Sequence, residues 1–217
     1  MKIPIFMFPH QVLNNHPIDI NVAPSLKNTF SKANVTEILL VPIGNINPSE
    51  LSFLPAELSK IFRTINFEVE RSILKLPSHT YDKARKQYNS TLLLEYLAMV
   101  KSRGYGKYLG IVNVDLYARG LNFVFGEAVL NGEDAIISLH RLRPEFYGDP
   151  PDSEVFKTRI VKEAVHELGH TFGLTHCENR ECVMHFSNSI IDTDLKKAQP
   201  CLKCHVKLFR KLFQEVD

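Results

Sequence analysis

The sequence predicts an α/β or α+β fold: a mixed, mostly parallel sheet backed by two long helices, with a small cysteine-stapled lobe at the C-terminal end. Three observations carry this prediction. Residues 108–116 (Y-L-G-I-V-N-V-D-L) are almost continuously apolar, as a strand covered on both faces should be. Residues 89–101 and 154–172 repeat their apolar positions at helical spacing. All four cysteines of the chain lie beyond residue 176.

The elements follow in order. Residues 3–8 read as a strand, too short and too proline-broken (Pro4, Pro9) for a secretory signal. Residues 14–34 are polar with Pro17 and Pro24 and read as a connection. Glu37–Ile43 (E-I-L-L-V-P-I) is a strand whose Pro42 places its end near an edge. Ser49 can cap a helix, and Pro55 favours a start there rather than at Glu50. Residues 67–76 alternate as a strand ending at Pro77; residues 78–90 show no clean period. Leu92, Leu93, Tyr96, Leu97 and Val100 give the helix at 89–101 its packed face, and Gly104 and Gly106 end it. Residues 122–130 and 135–139 form a hairpin about Asn131-Gly132, a type I′ turn signal. Residues 141–152, with three prolines and a glycine, are a loop. Ser153 can cap the helix at 154–172, whose core stripe is Ile160, Ala164, Leu168 and Phe172. Residues 206–214 read as an amphipathic helix.

The stretch that concentrates the chemistry is H-E-L-G-H-T-F-G-L-T-H, residues 166–176. His166 and His170 stand four apart, so a helix puts both imidazoles on one face. Glu167 lies off that face, within reach of a proton on a metal-bound water. Zinc lowers the pKa of such a water to roughly 7. Gly173 can end the helix with positive φ, and the turn can return His176 as a third ligand. H-E-x-x-H alone occurs by chance in unrelated helices; the glycine and third histidine make the pattern specific.

A second constellation overlaps the first. Cys177 and Cys182 have four residues between them, and Cys201 and Cys204 form C-L-K-C. Two such pairs, roughly 20 residues apart, are typical of a structural zinc site; disulfides or inert buried thiols are the alternatives.

The run H-E-L-G-H-T-F-G-L-T-H-C-E-N-R-E-C-V-M, followed by C-L-K-C, resembles the archaemetzincins, a metzincin-like group of zinc peptidases. The likeness is strong over residues 165–208 and looser at 122–128 (N-F-V-F-G-E-A). Residues 185–200 separate Met184 from Cys201, one residue fewer than the family spacing, a deletion a loop absorbs. The resemblance implies a catalytic zinc on His166, His170 and His176, with Glu167 as general acid/base. It implies a structural zinc on Cys177, Cys182, Cys201 and Cys204, and makes Met184 the methionine of the turn beneath the metal. It further implies a metzincin-like mixed twisted sheet with long backing and active-site helices, and residues 123–130 as the edge strand over the cleft. The chain is then a single metallopeptidase domain over 1–217. An N-terminal subdomain (1–173) carries the sheet and active-site helix; a C-terminal subdomain (174–217) carries the Met-turn and the four-cysteine site. The loop at 186–193 is expected to shape the pocket beyond the scissile bond.

Composition bounds the rest. The chain is 44% apolar and 23% charged, ordinary for a globular protein able to bury a core. A net charge of +2, with no basic stripe interleaved with aromatics, gives no case for nucleic acid. No run of apolar residues is long enough to span a membrane. Thiols committed to zinc point to a reducing cytoplasm. A peptide or protein substrate, no nucleic-acid or membrane partner, and a monomer are expected. The leading function is a zinc-dependent peptidase; the alternative is a catalytically silent, zinc-stabilised peptide- or protein-binding module. A four-cysteine nucleic-acid binder leaves the histidine motif unexplained. Tyr147 is a candidate for oxyanion assistance, Asp115 for a turn or substrate-loop role, and His185 and His205 read as bystanders.

Overall fold

The computed structural model of the chain describes residues 37–102 and 104–213. The strand expected at 3–8 and the connection at 14–34 lie outside the described residues. In chain order the elements are β1 (Glu37–Ile43), α1 (Leu54–Ser59), β2 (Asn66–Val69), β3 (Tyr81–Asp82), β4 (Gln87–Asn89) and α2 (Ser90–Val100). There follow β5 (Lys107–Val112), β6 (Leu116–Tyr117), β7 (Gly126–Ala128), β8 (Asp134–Ser138), α3 (Ser153–Thr171), α4 (Ile190–Leu195) and α5 (Leu202–Leu212).

The main sheet has the order β2-β1-β5-β8-β7. Every pairing is parallel except β7 with β8. Strand alternation distributes the side chains to two cores. Ile38, Leu40, Leu109, Ile111, Ala135 and Ile137 meet α1 and α3 (Leu54, Leu58, Ile160, Ala164, Leu168) on one face. Leu39, Val41, Ile43, Tyr108, Val112 and Ile136 meet Leu93, Leu94 and Leu97 of α2 on the other. All six residues of β5 are buried, which is why its sequence reads as one apolar run in the centre of the sheet. The mixed sheet between helices is the fold class expected. A second small sheet, β3-β4-β6, flanks α2.

Several boundaries differ from expectation, each for a local reason. The strand expected at 67–76 stops at Val69, and only Leu74 returns to bridge Ile43. Pro42 falls where β2 has ended, so its missing N–H leaves no ladder bond unmade. The strand expected at 108–116 divides into β5 and β6. The cap of α3 is Asp152, not Ser153: its carboxylate accepts from the N–H groups of Glu154 and Val155, both at 3.0 Å. The hairpin between β7 and β8 does not close through a type I′ turn. Asn131 has φ 56°, but Gly132 is not in the left-handed region that such a turn also requires. Instead the tip leans on α3: the Asn131 N–H donates to the His170 carbonyl at 2.9 Å. The last helix begins at Leu202 rather than 206. The segment read as a loop after Met184 contains α4, opened by a capping box between Ser189 and Asp192.

Among the described residues, no helix is long and apolar enough to cross a membrane.

Candidate active site

α3 brings His166, Glu167 and His170 to the sheet edge beside β7. The helix ends in a Schellman motif: the Gly173 N–H donates to the His170 carbonyl (2.8 Å) and the Leu174 N–H to the Gly169 carbonyl (3.0 Å). Gly173 supplies the required φ of 83°. The chain then doubles back, and His176 joins the other two imidazoles. One ring nitrogen from each of the three lies within 4.8 Å of the others.

The pairwise geometry suits a metal. The Nε2 atoms of His166 and His170 are 3.2 Å apart. Two nitrogens each roughly 2.0–2.1 Å from a tetrahedral zinc sit about 3.3–3.4 Å apart. The opposite nitrogens are engaged: His166 Nδ1 lies 2.7 Å from the Val183 carbonyl, and His170 Nδ1 2.7 Å from the Leu174 carbonyl. A carbonyl only accepts, so each Nδ1 carries the proton and each Nε2 presents a lone pair to the site. Burial holds both imidazoles below their usual pKa, His166 well below, so they are neutral as ligands must be. His176 is exposed, with its ring 5.0 Å from that of Phe186.

Glu167 is buried, and burial, with Glu163 one turn away adding like charge, pushes its carboxyl well above the ordinary range. Its neighbour is Gly126 of β7. A Cβ on Gly126 would lie 2.7 Å from Glu167 Cγ and 2.8 Å from its Oε1. Only a glycine lets strand and carboxylate approach so closely. A second close approach occurs two residues on: a Cβ on Gly169 would lie 2.5 Å from the Met184 sulfur. Met184 is fully buried against Gly169 of the helix. Neither glycine was singled out in the sequence. The signal was available, because a glycine inside a helix or strand costs about 1 kcal/mol against alanine and implies a packing reason.

The cysteines gather beside the histidines. One sulfur from each of Cys177, Cys182, Cys201 and Cys204 lies within 4.8 Å of the rest. Cys177 and Cys201 are 3.8 Å apart, the separation of two thiolates about 2.3 Å from a tetrahedral zinc. None forms a disulfide. Backbone hydrogen bonding and neighbouring thiols lower Cys201 to about 7, while burial raises Cys182 and Cys204. Residues 182–185 connect the two clusters: Cys182 belongs to one, the Val183 carbonyl holds His166 of the other, and the Met184 carbonyl accepts from the Cys177 N–H at 2.9 Å.

Other candidates are engaged elsewhere. The Tyr147 hydroxyl donates to the Arg141 carbonyl at 2.9 Å. Asp115 is gripped by Arg141 Nη2 (2.8 Å) and Gln87 (3.1 Å), which also fixes the Asn122 carbonyl ahead of β7. His185 Nδ1 meets the Cys177 carbonyl at 2.8 Å. Lys107, unremarked in the sequence, is buried and donates to the carbonyls of Gly132 (2.6 Å) and Thr171 (2.9 Å), tying the hairpin tip to α3.

Comparison with known proteins agrees with this geometry. The sequence profile of Peptidase family M54 matches residues 58–210. An archaemetzincin of Methanocaldococcus jannaschii is 48% identical over 174 residues, covering 80% of this chain and 93% of that protein. The crystal structure of the archaemetzincin of Methanopyrus kandleri superposes with a TM-score of 0.73 at 37% identity, over 84% of this chain and 98% of that one. A zinc-dependent peptidase of Methanocorpusculum labreanum superposes with a TM-score of 0.68 at 29% identity, over 79% and 99%. On sequence and on structure alike, the chain belongs to peptidase family M54, the archaemetzincins.

Proposed function

We propose that this zinc-dependent peptidase holds its reactive zinc on His166, His170 and His176, works through Glu167, and carries a second, structural zinc on Cys177, Cys182, Cys201 and Cys204. The observation that carries the reading is the hydrogen bonding of the imidazoles. Two backbone carbonyls take both Nδ1 protons and leave two Nε2 lone pairs converging at metal-ligand spacing, beside a buried carboxylate. Three nitrogens leave a fourth position open, as a reactive zinc needs; four thiolates close a tetrahedral site, as a structural one needs.

Zinc bound by the imidazoles supplies a Lewis acid for water and for the scissile carbonyl. The residues of this chain supply the rest. Glu167, at a raised pKa, accepts the proton of the attacking water and returns it to the departing amine. The peptide is held by β7, the edge strand. The Phe125 carbonyl accepts from Ser138 and the Val129 N–H donates to Asp134, so odd-numbered residues of this strand pair with β8. By alternation, Gly126 and Ala128 direct their N–H and C=O groups to the opposite side, where an extended peptide can add as a further strand. The catalytically silent alternative is not favoured, because membership in a peptidase family joins a carboxylate that a purely structural metal site does not need.

Zinc counting on purified wild type, His166→Ala and Cys201→Ala, with a mixed peptide library assayed in parallel, tests the proposal. Two zinc ions are expected in the wild type, one in folded His166→Ala, and cleavage in the wild type alone. A single zinc, or undiminished cleavage by His166→Ala, overturns it.

A further inference from the structure

The hairpin of β7 and β8 is fastened to α3 at two places. One is steric: Gly126 lies so close to Glu167 that no Cβ fits between them. The other is polar and lies at the hairpin tip. There the Asn131 N–H donates to the His170 carbonyl at 2.9 Å, and a Cβ on Gly173 would stand 3.1 Å from Asn131 Oδ1. Behind the tip is Lys107, the first residue of β5, only 7% exposed. Its Nζ donates to the Gly132 carbonyl at 2.6 Å and to the Thr171 carbonyl at 2.9 Å. It also sits 4.6 Å from the centre of the Phe172 ring. One ammonium thus joins the hairpin tip to the residue that follows His170, a histidine of the proposed zinc site.

The cation is held there at a cost in solvation. Burial takes its pKa down to about 8; Lys101 at the end of α2 acts in the same direction, and Glu133 and Asp134 at the start of β8 oppose it. An apolar residue would avoid that cost but would leave the Gly132 and Thr171 carbonyls without this donor. Charge-assisted bonds fix a position that packing alone leaves free to slide. Two attachments set the angle at which the edge strand crosses the active-site helix, whereas one leaves a hinge at Gly126. The stretch such a hinge moves most is 128–132. It begins with the outward N–H and C=O groups of Ala128 and continues through Val129 and Leu130, which are 47% and 43% exposed.

We propose that Lys107 is a positioning residue for the bound peptide. It holds the 128–132 end of the edge strand against α3, so that a peptide paired along that end keeps its register with the three-histidine site. This rests on the peptidase reading for the identity of the ligand. It does not rest on turnover, because strand pairing also holds peptides that are not cleaved.

The experiment compares zinc-loaded wild type, Lys107→Met, Lys107→Gln and Lys107→Arg. Each is titrated with acetohydroxamate, which carries no peptide, and with two series of peptide hydroxamates of increasing length. One series bears the hydroxamate at its C-terminal end and the other at its N-terminal end, so a peptide pairing with β7 lies along 128–132 in one series only. In the wild type that series should tighten by about tenfold as backbone hydrogen bonds to the strand are added. Lys107→Met should cut the gain to roughly twofold. Lys107→Gln, too short to meet both carbonyls, should fall between. Lys107→Arg, whose guanidinium offers a donor to each, should keep most of it. Acetohydroxamate and the other series should stay within about twofold of wild type throughout. An unchanged gain in the folded Met and Gln variants overturns the inference. So does an equal loss for every hydroxamate including the bare one, which marks general loosening, and so does a wild type in which neither series tightens with length. A wild type that binds the hydroxamates yet cleaves no peptide refutes the proposed activity, and Lys107 is still judged by the binding series.

Discussion

Gly126→Ala asks whether the contact between β7 and Glu167 is required. The added Cβ would stand 2.6 Å from the Ile136 carbonyl oxygen, 2.7 Å from Glu167 Cγ and 2.8 Å from Glu167 Oε1. Carbon atoms rest about 3.5–4.0 Å apart, so roughly 1 Å must be found. Ile136 cannot yield it, since β8 is paired on both sides. The edge strand and the Glu167 side chain can. Overpacking of this kind costs about 1–3 kcal/mol of stability, or about 2–8 °C of Tm for a domain of this size. The larger effect falls on chemistry, because moving a catalytic group by about 1 Å costs on the order of 100-fold in kcat. The contact falls on Glu167 and on none of the three histidines, so zinc content should be unchanged. The assay is kcat on a cleaved library peptide, with zinc content and Tm measured on the same sample. Wild-type kcat in zinc-replete Gly126→Ala would show that the close approach does not place Glu167 and would refute the reasoning.

Three further outcomes follow from the same contacts. Gly169→Ala gains about 1 kcal/mol of helix propensity but drives a Cβ into the Met184 sulfur. The displaced turn carries the Val183 carbonyl away from His166, so zinc affinity in a chelator competition should fall about 10–100-fold; unchanged affinity would show Met184 moves freely. Asn131→Pro removes the N–H that meets the His170 carbonyl and cannot keep the φ of 56° found there, so the hairpin tip should shift and KM should rise more than zinc content falls; an unchanged KM would separate the hairpin tip from substrate binding. Asp115 gives a pH dependence. Burial raises its carboxyl, but the Arg141 guanidinium and the Gln87 amide outweigh that and hold it below the ordinary value. Such a group stabilises the fold above its unfolded pKa of about 3.9, and that stability is lost as pH falls through the lower folded value. Asp115→Asn should therefore lose about 1–3 kcal/mol at pH 7 and show a shallower fall of Tm below about pH 4 than the wild type; parallel Tm curves would contradict the assignment.

The sequence was most readable where one principle acts alone. β5 announces itself because burial on two faces leaves no polar position, and the helix at 89–101 because its packed side repeats every three to four residues. The histidine and cysteine segments were readable by residue type and spacing, and the structure gathers each set. What could not be read depends on residues distant in the chain. Pro77 suggested where a strand ends, but β2 stops at Val69 because nothing beyond Leu40 of β1 pairs with it. The N-G at 131–132 looked like a free-standing turn, yet the α3 terminus sets its conformation through His170 and Gly173. Lys196 and Glu163 are 33 positions apart and look like ordinary surface charges until the fold buries them together. Gly126 and Gly169 mattered for the same reason: each is defined by what approaches it from another element.

The most direct measurement is zinc stoichiometry and peptide cleavage on Glu167→Ala beside the wild type. The substitution leaves all seven nitrogen and sulfur donors in place. Two zinc ions per chain in both proteins, with cleavage confined to the wild type, is the expected result. Cleavage by Glu167→Ala at the wild-type rate would contradict the assignment of proton transfer to this residue.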